Sequence, residues 1–164
     1  ALKLDPSHVG ARQALLGLLL DSKRNNEAEQ LLRKTLEINP RQPRHAMVLA
    51  RVEVERGDVT NAINTMVGVL PYVNSDPDFY AFLAALLQRE GRNREAVDYY
   101  RAALRGVPGN GVWMMGLGIS LRASNQSAEA GDVFRRAIES KQLSPELQEF
   151  VTRQLNEISA AKKK

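Results

Sequence analysis

Alanine recurs at one fixed interval in this chain, at Ala28, Ala62, Ala96 and Ala130. The interval is 34. A constant period of that length marks an array of one small supersecondary unit, and it suits a pair of helices joined by a turn. The alanines do not recur alone. Leu15, Leu49, Leu83 and Leu117 share one slot, followed by Leu16, Ala50, Ala84 and Gly118. Four residues after each alanine comes Leu32, Met66, Tyr100 or Phe134, and eight after it Leu36, Leu70, Leu104 or Ile138. Gly57 and Gly91 share the slot where a first helix ends, and Pro6, Pro40 and Pro108 keep the period at the end of the second.

Each slot has a physical reading. Apolar residues at i, i+3, i+4 and i+7 make one helical stripe. Small residues opposite the alanine let two helices approach closely. Glycine past a helix end adopts the left-handed conformation without steric cost, and proline stops the second helix. This predicts helix pairs over 9–22 and 26–38, 43–56 and 59–71, 77–90 and 93–106, and 111–124 and 127–140. Ser144-Pro145-Glu146 reads as an N-cap followed by proline at the first helical position. It opens a last helix, 145–160, that covers the end of the array. Asn74 stands where a closing proline is expected, and Pro71 and Pro77 are displaced, so the linker there is expected to be irregular.

The run Met114-x-x-Leu117-Gly118-x-x-Leu121 with Ala130, Phe134 and Ala137 resembles the tetratricopeptide repeat. So does Tyr80-x-x-Leu83-Ala84-x-x-Leu87 with Ala96, Tyr100, Ala103 and Pro108. Two departures stand out: Trp113 lies one residue before the family's tryptophan slot, and Glu53 occupies an apolar one. The resemblance implies an all-α, right-handed α-solenoid of about four repeats plus a C-terminal capping helix. The expected division is 1–8 (the end of a preceding unit), repeats at 9–42, 43–76, 77–110 and 111–144, the cap at 145–160 and a basic tail at 161–164. Ala1, Leu2 and Pro6 fit the end of an earlier second helix, which reads as a piece of a longer protein. More narrowly, residues 110–121 and 144–147 resemble the C-terminal region of a bacterial mannose-sensitive haemagglutinin pilus biogenesis protein. That likeness implies a type IV pilus assembly factor on the periplasmic face of the inner membrane.

The resemblance also implies a docking groove, lined by the first helix of each pair at i, i+3, i+7 and i+10. Those positions are Gly10, Gln13, Gly17 and Leu20, then Arg44, Met47, Arg51 and Val54. They continue as Asp78, Ala81, Ala85 and Gln88 with Arg89 beside them, then Val112, Met115, Ile119 and Arg122. The apolar members offer anchors and the methionines an adaptable surface. Arg51, Arg89 and Arg122 offer bidentate bonds to carboxylates. The expected partner is therefore a protein or peptide segment with apolar anchors and acidic flanks. The family's clamp of Lys and Asn for a C-terminal carboxylate is missing from this row.

Other chemistry is scarce. There is no Cys, and His8 and His45 stand apart from one another, so no catalytic triad, metal site or cofactor is expected. Gly106, Gly109, Gly111, Gly116 and Gly118 lack the Gly-Lys-Ser/Thr of a phosphate loop and read as a turn and close helix packing. No enzyme and no small-molecule substrate are expected. The net charge of +4 owes three charges to Lys162, Lys163 and Lys164, so it argues little for nucleic acid. Asp78 in the row argues against RNA, although helical repeats can read bases. Self-association as a homo-oligomer is a third reading. The apolar run from Ala14 to Leu20 is too short to span a bilayer. All nine aromatics lie from Tyr72 onward. Phe79, Phe82 and Trp113 fall off the main stripe, to pack between repeats or rim a pocket.

Overall fold

The computed structural model of the protein describes residues 14–19 and 24–161. Gly10, Gln13, Leu20, His8 and the basic tail lie outside the described residues. Within them every regular element is a helix. After a helical stretch at 14–19 come α1 (Asn25–Ile38), α2 (Pro43–Glu55) and α3 (Val59–Val69), the last running into a 3-10 turn over Leu70–Tyr72. Then follow α4 (Pro77–Arg89), α5 (Asn93–Gly106), α6 (Gly111–Ala123), α7 (Ser127–Glu139) and α8 (Pro145–Ala161). The second helix of the second pair, expected to reach 71, stops at Val69 because Pro71 cannot continue it. The chain divides there into two compact bodies, residues 1–73 and 74–164.

Within the first body α1 packs on α2 and α2 on α3. Within the second, each helix from α4 to α8 packs on the next, and α4 also touches α6. The period drives this. Ala28, Ala62, Ala96 and Ala130 are all wholly buried, as are Met66 and Phe134 in the slot four residues on. An alanine that exposes nothing leaves no room for a longer side chain, so two backbones meet at short range. Gly116 and Gly118 carry the principle further: a Cβ at Gly116 would overlap the Tyr100 ring, and one at Gly118 the Phe134 ring. Phe79, off the expected stripe, is also wholly buried and so belongs to the core.

The turns repeat as faithfully. Gly57 (φ 84°), Gly91 (φ 75°) and Asn125 (φ 64°) keep the same period and are all left-handed. Each closes the same pair of bonds, such as Arg92 N donating to Leu87 O (2.9 Å) and Gly91 N to Gln88 O (3.0 Å). This is a Schellman motif. Asparagine is the side chain that tolerates this region best. Asn125→Gly is therefore expected to stabilise the second body by about 0.5–1 kcal/mol, and Gly91→Ala to cost about 1 kcal/mol, in urea unfolding. Three of the first helices start alike: Asp76 accepts from Phe79 N (3.1 Å), Asn110 from Trp113 N (3.0 Å) and Ser144 from Leu147 N (3.4 Å), whereas Gln42 in the same slot before α2 makes no such bond.

One slot breaks the pattern. Leu19, Leu87 and Leu121 are buried, and between them in register stands Glu53, only 2% exposed. Its carboxylate accepts from Arg33 of α1 (2.7 Å) and from the Thr65 hydroxyl of α3 (2.9 and 3.2 Å). Arg33 also pairs with Glu29 (2.9 Å), which in turn binds Arg56. A chain of charge thus crosses the first body where the second has leucine. Burial pushes the Glu53 carboxyl up, against the pull of Thr65 and Arg33. Burial also pushes Glu29 up, but bonds from Arg33 and Arg56 outweigh it and hold that carboxyl below its ordinary value.

Candidate docking face

The expected groove row can now be placed side chain by side chain. In the first body, on α2, Arg44 and Arg51 are exposed and Val54 is half-buried. Met47 is not available: it is buried, 9% exposed. Gly17, on the stretch 14–19, is exposed. In the second body, Asp78, Ala85 and Arg89 of α4 are exposed, while Ala81 is buried at 7%. On α6, Val112 is 45% exposed, and Met115, Ile119 and Arg122 are half-buried. Met47 and Ala81 therefore leave the set of side chains that can meet a ligand. Their helices turn them into the packing against neighbours.

Two more expected contacts are committed elsewhere. The Gln88 amide donates to Gly116 O (2.8 Å) and Ser120 Oγ (2.7 Å), tying α4 to α6. The Tyr100 hydroxyl donates to Gln88 Oε1 at 3.4 Å. Burial pushes the Tyr100 phenol up to about 12, so it stays protonated and can donate. Arg122 pairs with Glu157 of α8 (2.7 Å) and donates to Gln154. A guanidinium that already has a carboxylate is a weaker lure for another. What stays open in the second body is an apolar lane on α6, Val112, Met115 and Ile119, with Ala85 of α4 beside it.

Sequence reasoning misses the other side of that lane, because it gives α8 the role of a cap alone. Yet α8 starts in the slot of α2, α4 and α6, so Glu146, Glu149 and Arg153 are the counterparts of Val112, Met115 and Ile119. All three are exposed. The signal lies in the period itself: one full repeat beyond each row position of α6 stands an α8 residue. Among the described residues no three His, Cys, Asp or Glu side chains stand where they could hold a metal ion. No described helix is long and apolar enough to cross a membrane.

Models described as tetratricopeptide repeat match residues 83–145 and, in two overlapping matches, 1–52 and 19–86. No curated protein matches the chain in sequence. Among solved structures, YrrB, described as a TPR protein with an unusual peptide-binding site, is similar at a TM-score of 0.78 and 18% identity, covering 93% of this chain and 78% of its own. MamA is similar at 0.75 and 20% identity, with 86% and 82% covered. MamA residues 41 to the end, from Desulfovibrio magneticus RS-1, reach 0.76 at 11% identity, with 94% of each chain covered. At such identities these likenesses speak to the fold.

Proposed function

We propose that this chain, which belongs to the tetratricopeptide repeat family, is a non-catalytic scaffold that docks a segment of another protein along the exposed faces of its first helices. The observation that carries this reading is the lane of Val112, Met115 and Ile119, apolar and part-exposed on a helix whose other faces are packed. Apolar side chains in a row at helical spacing suit an amphipathic helix or an extended peptide. The peptide-binding site reported for YrrB supports the same use of the fold. Arg44, exposed on α2, supports acidic groups in a segment that docks on the first body.

The likeness of residues 110–121 and 144–147 to a mannose-sensitive haemagglutinin pilus biogenesis protein supports a finer reading: the docked segment belongs to a type IV pilus assembly protein, at the periplasmic face of the bacterial inner membrane. The RNA reading is disfavoured further by Glu146 and Glu149, which add to Asp78 on a face that phosphates would have to approach. Purified pilus-assembly proteins should bind the wild type, and Val112→Asn with Met115→Gln should weaken that binding about fivefold to tenfold, ~1 kcal/mol, by removing apolar contact. Isothermal titration measures it, with a thermal melt of the variant as the folding control. Equal affinity for wild type and variant would remove the lane from the site. Light scattering on the same samples shows whether the chain instead pairs with itself.

A further inference from the structure

Helix α8 bears on the docking face as well as on α7. Gln88 of α4 donates to Ser120 of α6; one repeat on, in the same two slots, Arg122 of α6 donates to Gln154 of α8. The same contact therefore recurs one unit later, and α8 lies against α6 as α6 lies against α4. By that register Glu146 and Glu149 fall on the side of the lane opposite Asp78. At the N-terminal end of the face the lane runs between three carboxylates, Asp78 on α4 and Glu146 and Glu149 on α8, all exposed. None of the three has an ion pair among the described residues. Ser144 and a backbone N–H hold the Glu146 carboxyl below its ordinary range, so it is charged at neutral pH. Arg153 follows Glu149 by one turn of α8, and the other basic groups sit at the far end: Arg89 in the last turn of α4, and Arg122, already bound to Glu157. About ten residues of helix separate Val112 from Arg122, roughly 15 Å at 1.5 Å per residue.

Resting on the docking reading above, we propose that the second body takes a partner helix with Lys or Arg at the end lying over Asp78, Glu146 and Glu149, and apolar anchors along the two turns that follow. This reverses, for this body, the acidic flank expected from Arg89 and Arg122. Three acids beside an apolar lane, with Arg153 the one base following them on α8, leave a net negative end that repels an acidic segment and attracts a basic one, so their main effect is on partner choice.

Two synthetic amphipathic helical peptides test it, with identical Leu and Met anchors and either three Lys or three Glu at one end. Fluorescence anisotropy against the full chain in 50 mM salt should show the Lys peptide binding roughly tenfold tighter, as three exposed charge pairs allow. In 0.5 M salt the ratio should fall below about threefold, because exposed charges are screened within a few ångströms there. Asp78→Asn/Glu146→Gln/Glu149→Gln alters exposed positions and should abolish the preference. Equal binding of the two peptides to the wild type, or a Lys preference that survives the triple variant, overturns the charge inference. If both peptides bind equally and Val112→Asn weakens both, the docking lane stands and only its charge preference falls. If neither binds, or Val112→Asn changes nothing, the docking reading itself falls.

Discussion

Gly118→Val should destabilise the second body by about 3 kcal/mol in urea unfolding, although valine is the better helix former. Helix propensity favours replacing a mid-helix glycine by up to about 1 kcal/mol. The opposing term is larger. A Cβ at Gly118 would lie within 3 Å of three Phe134 ring atoms, and Phe134 is wholly buried, so the ring has nowhere to move. Overpacking of this kind costs about 1–3 kcal/mol per site, and a β-branched side chain makes it worse. The cause can be isolated. The first body fills the same two slots with Ala50 and Met66, both wholly buried. Gly118→Ala and Phe134→Met should each destabilise the second body, and the double variant should cost less than their sum by about 1–2 kcal/mol. A strictly additive cycle would mean that the glycine is there for some reason other than the ring.

The second large effect runs the other way. Glu53→Leu should stabilise the first body by about 1–3 kcal/mol, the range seen when a buried ion pair gives way to well-packed apolar residues. Leucine is the residue in register at 19, 87 and 121. Of the partners left behind, the Arg33 side chain is 44% exposed and keeps Glu29, and the Thr65 hydroxyl, only half-buried, loses its Glu53 acceptor. Glu53→Ala, which leaves a cavity as well, should instead cost about 2 kcal/mol. Hydrogen exchange of the α1–α3 amides reads this body specifically.

The same pair of variants carries a pH signature. A folded carboxyl raised above its unfolded value favours the fold more as it takes up its proton, so Glu53 contributes stability at low pH that is lost as pH rises through its titration. Glu29 is lowered, so its contribution is present above its ordinary range and is lost as pH falls. The two oppose each other in the wild type. With Glu53→Leu the Glu29 contribution is no longer opposed by that of Glu53, so the first body should lose stability more steeply below about pH 5 than the wild type does.

Much of the architecture is legible in the spacing, because a fixed period repeats one packing problem and its solution. The helix expected over 93–106 is α5, Asn93–Gly106, and the other observed bounds fall within two residues of the expected ones. Periodicity overshoots the end of α3 by two residues, since the helical pattern continues through Leu70 while Pro71 forces the tighter turn. Side-chain availability is harder to read. Spacing puts Met47 and Ala81 on the row, but whether a neighbour covers them depends on tertiary packing, which periodicity along one helix does not encode. Gln88 and Arg122 escape for a related reason: their partners, Ser120 and Glu157, sit on the first helix of the next unit, far off in sequence. Glu53 is visible as an exception, yet its hold by Arg33 and Thr65 needs three helices in place at once.

That α8 keeps step with α6 has a practical consequence for lengthening this protein. Where Ala50, Ala84 and Gly118 receive a following helix, α8 carries Thr152, and where Ala46 and Met114 are buried it carries Gln148. Both α8 side chains are exposed. Swapping those two for glycine and methionine would recreate the seat of Gly118 and Met114 on which α7 rests. A copied stretch of α7 could then be joined behind α8, making that helix a growth point for arrays of chosen length.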